Sequence, residues 1–246
     1  MIEADLLVFD LDDTLLDTTA LFTRIKQRFF EHLVRAGLNQ QQIETEYERI
    51  DETNIARFGY ISERTIISLR ETMESLYPQH GIPFSQPDLE ILATVGSSGL
   101  YEVPGLMPYA ASLLSWCKER FRLALLTRGS ISYQQVKLQV SGLGSSFESA
   151  KVVPAKSETA FAELLRSLNV PPSRAVSIGD SARFDIVPAL SIGMRAIHVR
   201  YSRSGIQWNH DREAPDHPVA ICAARNLEDV QVVLEGRTAS VSGEKR

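Results

Sequence analysis

Asp10-Leu11-Asp12-Asp13-Thr14 stands directly after an apolar run, Leu6 to Phe9. On an extended chain alternate residues point the same way, so Asp10 and Asp12 can address one place. Carboxylates crowded at the end of a buried strand repel one another and are costly unless a cation joins them. Their hard oxygens suit Mg²⁺, which commonly takes one or two carboxylates together with substrate phosphate. The run does not follow the calcium-loop pattern, because Thr14 and Leu15 occupy the places of an Asp/Asn and a Gly. An isolated aspartate pair is better explained as a polar turn capping a helix. The chemical reading therefore depends on what else in the chain joins it.

Three further signals have the same form, a chemistry-bearing residue at the end of an apolar run. Gly179-Asp180-Ser181-Ala182-Arg183-Phe184-Asp185 follows the run at 175–179. The glycine allows a sharp turn that presents Asp180, and Asp185 in the first turn of the next helix is close enough to orient a neighbour. Alone, this segment is equally an N-cap followed by a helix-favouring acid. Thr127, with Arg128-Gly129-Ser130 behind it, ends the run at 123–127. A hydroxyl and exposed backbone N–H groups there would hold phosphate oxygens. Lys156 follows Val152-Val153-Pro154. A lone lysine is ordinarily a solvated surface residue, but one facing several carboxylates would balance their charge. Asp, Thr, Lys and Asp each closing a separate strand of one sheet would converge on one crevice, because α/β sheets bind ligands beyond the carboxyl ends of their strands.

The elements that must position these residues are legible as texture. Apolar runs at 6–10, 123–127, 151–153, 175–179 and 196–199 alternate with helical patterns at 131–140, 158–168 and 184–191. Strands alternating with helices imply an α/β fold with a parallel sheet covered on both faces. Residues 18–98 carry no strand signal. Ile25, Phe29, Phe30 and Leu33 follow helical spacing, as do Ile43, Tyr47 and Ile50, and again Ile66, Leu69, Met73 and Leu76. Ser62 and Asp88 are expected as helix caps there. The expected organisation is a sheet domain from 1–17 and 99–246, interrupted by an all-helical insert at 18–98, with Val103-Pro104-Gly105 at the return joint.

Composition excludes several classes. The chain has 246 residues, 43% hydrophobic, and a net charge of -5, which argues against a generally basic surface for nucleic acid. No stretch approaches the ~18 apolar residues of a membrane span. The start lacks the basic segment and long apolar stretch of a secretory signal, and two distant cysteines make no disulfide framework, so the expected location is cytoplasmic. The polar stretch at 238–246 is expected to be a loose tail. His198, His210 and His217 fit no standard metal-ligand spacing. Trp208 and Tyr201 are expected to pack, and Cys117 to be inert core. Arg57, Tyr60 and Arg64 could touch substrate, and a solvated helix face explains them as well.

Taken in order, these motifs resemble the haloacid dehalogenase superfamily of hydrolases. Asp10-Leu11-Asp12-Asp13-Thr14 resembles its first motif, Thr127 the second, Lys156 the third, and Gly179-Asp180 with Asp185 the fourth. The likeness spans about residues 1–199, and the insert has the position and texture of the family's helical cap. It implies a Rossmann-like sheet domain and a Mg²⁺-dependent phosphatase acting on a small phosphorylated metabolite. Asp10 would be the nucleophile and become an aspartyl phosphate, and Asp12 the acid and base. Thr127, Arg128 and Lys156 would bind the phosphorylated substrate. Asp10, Asp180 and the main-chain carbonyl of Asp12 would hold the metal. Asp185 would support the metal site or pair with Lys156. Asp12 favours oxygen-bound phosphoryl groups, since relatives that cleave carbon–halogen bonds generally lack an acid there. Phe184, Ser157 and Arg128 depart from the commonest residues at their positions, which bears on subfamily. A phosphomutase and a non-catalytic binding protein of the same fold are the alternatives.

Overall fold

The computed structural model describes residues 2–59, 61–201 and 221–237. Contacts divide the chain into two compact units, one of residues 1–17 and 105–246 and one of Thr18–Pro104.

The first unit holds a six-stranded sheet, all parallel, in the order β3-β2-β1-β4-β5-β6. The strands are β1 (Leu6–Phe9), β2 (Arg122–Arg128), β3 (Ser149–Val153), β4 (Ala175–Gly179), β5 (Arg195–Val199) and β6 (Ile221–Ala224). The central strand, β1, is buried at every residue. Alternation divides its side chains between two cores. Leu7 and Phe9 join Leu123, Leu125, Val176 and Ile178 on one face, together with residues of α5 (Ala110–Lys118) and α9 (Leu227–Leu234). Leu6 and Val8 join Ala124, Leu126 and residues of α7 (Glu158–Leu168) and α8 (Val187–Ser191) on the other. A strand covered on both faces must be apolar throughout, which is why these runs are continuous. The chain builds outward from β1 through β2 to β3, then returns to pair β4 with the opposite side of β1. That reversal opens a crevice between the ends of β1 and β4, the place where such sheets bind ligands. Cys117 is fully buried in this unit, and burial pushes its thiol up to about 12, as suits an inert core residue.

The second unit consists of α1 (Thr18–Arg35), α2 (Gln40–Phe58), α3 (Ser62–Gln79) and α4 (Gln86–Tyr101). Ile25, Phe29, Leu33, Ile43, Leu69, Met73, Leu76 and Val95 form buried stripes at helical spacing. Two cap expectations need correction. Ser62 is the first residue of α3 rather than its cap, which is Ile61. The α4 cap is Ser85, and Asp88 is the third helical residue, reaching back to accept from the Ser85 N–H at 2.7 Å. A Ser followed three places on by an acid satisfies two exposed donors at once. Burial would raise the Asp88 carboxyl, but bonds from His32, Ser85 and Tyr77 outweigh it and hold the group at about 2. α4 also runs to Tyr101, past residue 98. No helix among the described residues is long and apolar enough to cross a membrane.

Candidate active site

Asp10 follows β1 directly, and its N–H continues the ladder by donating to the Ile178 carbonyl at 2.9 Å. Its carboxylate, on a residue only 6% exposed, forms an ion pair with Lys156, which is equally buried. The same ammonium donates to Asp185 at 2.6 Å. Asp185 in turn accepts from the Ser181 N–H at 3.0 Å, while its main-chain carbonyl accepts from Ser177 Oγ at 2.8 Å. Asp185 was expected in the first turn of a helix over 184–191. It lies instead in a wide turn at Ala182–Ile186, where the Val187 N–H reaches back five residues to Ala182, and α8 follows. Single wide turns of this kind concentrate at functional sites. Gly179 is required by the same packing, since a Cβ there would come within 2.3 Å of the Asp185 carboxyl carbon.

Asp180, at the end of β4, lies close to this pair. The buried Thr14 hydroxyl accepts from its N–H at 3.1 Å, tying the first motif to the fourth. The His198 Nε2–H donates to the Asp180 carbonyl at 2.8 Å, and Nδ1 accepts from Arg200 Nε at 3.1 Å. These bonds define a neutral imidazole with its proton on Nε2. The Tyr201 hydroxyl donates to the Thr14 carbonyl at 3.1 Å. Both residues buttress the loop rather than line a metal site.

Carboxylate oxygens of Asp10, Asp180 and Asp185 lie within 4.8 Å of one another. One ammonium, paired with Asp10 and Asp185, thus lies among three carboxylates. Burial, together with the charges of Asp185 and Asp12, pushes Asp10 up to about 7 against the pull of Lys156. Burial and the charges of Asp10, Asp13 and Asp185 likewise raise Asp180 well above the usual carboxylate range. For Lys156 burial alone would lower the pKa, but Asp10 and Asp185 raise it further than burial depresses it, so the ammonium stays charged. An excess of buried, mutually repelling hard oxygens fits a divalent cation, and Asp10, Asp180 and Asp185 are the groups that would hold it.

Asp12 turns the other way. Its carboxylate accepts from Lys137 Nζ at 2.6 Å and from Gln134 Nε2 at 2.7 Å, both on α6 (Ile131–Val140). Gln134 Nε2 also lies 2.6 Å from Thr127 Oγ1 and 2.9 Å from the Arg128 carbonyl. Thr127 is fully buried. With its oxygen accepting from Gln134, its hydroxyl keeps a hydrogen to give to an incoming oxygen. The Arg128 guanidinium stacks over the Phe184 ring at 3.8 Å, so two departures from the common motif residues are partners in space.

The first unit therefore links Asp10, Lys156, Asp185 and Asp180 in one cluster, and joins Asp12 to Thr127 through Gln134. Thr14, Ser181, Gln134 and Lys137 complete these links; the sequence offers the first two only as members of motif runs and the last two not at all. Nothing local marks the last two, because α6 also carries Ser132, Gln135 and Gln139. In the second unit Arg57 donates to Asn54 at 3.0 Å, and Arg64 is 2% exposed and paired with Asp51, so Arg64 is no part of a solvated face. Tyr60, Trp208, His210, His217 and the stretch 238–246 lie outside the described residues.

Comparison with known proteins agrees with this geometry. The family model for haloacid dehalogenase-like hydrolases matches residues 4–193. Over 209 residues, 79% of this chain and 80% of the relative, the chain is 25% identical to a glyceraldehyde 3-phosphate phosphatase of Pyrococcus furiosus. It is 27% identical over 203 residues to that of Pyrococcus abyssi, covering 79% and 81% of the two chains. In fold it resembles a haloacid dehalogenase-like family hydrolase from Xanthomonas campestris, with a TM-score of 0.73, 21% identity, and 95% and 96% of the chains covered. The match to the family model covers most of the chain and includes all four strand-end motifs: the chain belongs to the haloacid dehalogenase-like hydrolases.

Proposed function

We propose that the protein is a Mg²⁺-dependent phosphatase that hydrolyses a small phosphate monoester through an aspartyl phosphate on Asp10. The observation that carries this reading is the isolation of Asp10: a buried carboxylate beside one ammonium and two further carboxylates at the switch point of the sheet. Phosphatase relatives over four-fifths of their length support the phosphoryl class. Asp12 supports it too, because an acid two residues past the nucleophile serves a leaving alkoxide.

In this mechanism Asp10 attacks phosphorus, the ester P–O bond breaks, and the leaving oxygen takes a proton from Asp12. The Asp12 carboxylate then takes a proton from water as that water attacks the phosphorus, the bond from phosphorus to the Asp10 oxygen breaks, and inorganic phosphate leaves. Lys156 and the Thr127 hydroxyl hold phosphoryl oxygens, and Arg128, braced on Phe184, meets the substrate beyond them. Asp185 orients Lys156, and together with Asp10, Asp180 and the Asp12 carbonyl it would hold Mg²⁺. When bound, the ion neutralises charge on the phosphoryl oxygens. Fixed charges and positioning must supply most of the acceleration, since acid–base help accounts for only about 10²–10⁴-fold. The helical unit, Thr18–Pro104, would be the cap that selects the substrate.

The test is phosphate release from a panel of sugar phosphates, nucleotides, phosphoglycolate and glyceraldehyde 3-phosphate, with Mg²⁺ or chelator and no bisphosphate activator. Mg²⁺-dependent release from at least one ester is expected. Silence across the panel would favour a binding protein, and turnover only with a bisphosphate would favour a mutase.

A further inference from the structure

Both oxygens of the Asp12 carboxylate are gripped from one face of α6, Oδ1 by Lys137 at 2.6 Å and Oδ2 by Gln134 at 2.7 Å. The two donors are 1% and 2% exposed, whereas the Asp12 side chain is 27% exposed. An ammonium buried this deeply is unfavourable unless it is paired, and an apolar residue would fill the same space more cheaply. Packing alone therefore does not account for Lys137. Its charge is directed at Asp12, and the Tyr133 ring at 4.4 Å flanks it. A partly exposed aspartate without such contacts would turn through several rotamers.

We propose that Lys137 and Gln134 are positioning residues that fix the direction in which Asp12 presents its proton to the leaving oxygen. Gln134 has a second task. Its amide carries two hydrogens and faces the Asp12 carboxylate, the Thr127 hydroxyl and the Arg128 carbonyl, so it sets the acid and the phosphate-holding hydroxyl in one frame. The inference rests on the phosphatase reading above. In the step concerned, the Asp10–phosphorus bond forms as the ester P–O bond breaks, and the Asp12 proton passes to the ester oxygen. A misdirected carboxyl group slows this only when the leaving group needs the proton.

That dependence separates positioning from mere structural support. The measurement is kcat/KM, which reports transfer to Asp10, on a simple alkyl phosphate and on dinitrophenyl phosphate, whose leaving group departs without protonation. For Lys137→Met the alkyl ester is expected to lose about 10²-fold and the dinitrophenyl ester less than about tenfold, within the range of general acid catalysis and of small misplacements. Gln134→Leu should shift the ratio of the two esters in the same direction by a smaller factor. The ratio within one preparation does not depend on how much of the variant is folded. Asp12→Asn gives its upper limit. An unchanged ratio in both variants, with or without a general loss of activity, overturns the positioning role while the phosphatase reading stands. A wild-type protein that hydrolyses neither of these esters nor any of the panel above removes both.

Discussion

The two units of this molecule bury charge in opposite ways. In the helical unit Arg64 pairs with Asp51, Ser68 Oγ donates to Asp51 at 2.7 Å, and the fully buried Asn54 donates to Glu71 at 2.6 Å. Lys26, also buried, is lowered by burial to about 8 against the pull of Asp51. This unit balances its buried charges internally. The sheet unit does not: Lys156 pairs with Asp10 and Asp185 while Asp180 lies close by, and burial with mutual repulsion raises Asp10 and Asp180 above the usual carboxylate range. Buried charge that is matched serves the fold, and buried charge left in excess at a strand end is matched by what binds there.

The sharpest way to break that contrast is one neutralising substitution in each unit. Asp10→Asn should lower turnover by at least about 10⁴-fold, as loss of a nucleophile does elsewhere. It should also raise the thermal stability of the metal-free protein near neutral pH, because it removes one of several repelling carboxylates. Asp51→Asn should do the reverse, costing about 3–5 kcal/mol of stability by leaving Arg64 buried without its partner. Denaturant melts and initial rates on both variants check the pair. Equal destabilisation by the two would erase the distinction.

A smaller effect follows from pH. Asp10 titrates at about 7 when folded against 3.8 ordinarily, so between those values the folded state binds more protons than the unfolded one. Stability of the metal-free protein must then fall as pH rises through that window, with Asp180 adding in the same direction. Melting in chelator should drop from ~pH 5 to ~pH 8, and added Mg²⁺ should restore more stability at the higher pH, where no proton competes for the site. A melting temperature that holds level in chelator would contradict the charge excess.

Much of this arrangement was legible in the sequence because burial on both faces forces continuous apolar runs, and a polar residue ending such a run stands out. β4, α6 and α7 run over the residues expected. Asp10, Lys156 and Asp180 were legible for the same reason. What stayed hidden depends on contacts between distant segments. Gln134 and Lys137 look like ordinary helix polars until α6 is laid against Asp12. The wide turn at Ala182–Ile186 accompanies the contact of Asp185 with Lys156, a residue 29 places away that no local propensity encodes. Asp88 was misplaced by three residues because Ser85 and Asp88 cap α4 jointly, and either alone carries the same local signal.

The most direct measurement is chemical capture of the acyl phosphate. The protein is mixed with Mg²⁺ and a turned-over ester, quenched in mid-turnover, reduced with borohydride and mapped by peptide mass. Reduction at position 10 alone, absent when substrate is omitted, is the predicted result. Turnover with position 10 intact, or with the reduced residue elsewhere, would contradict the account.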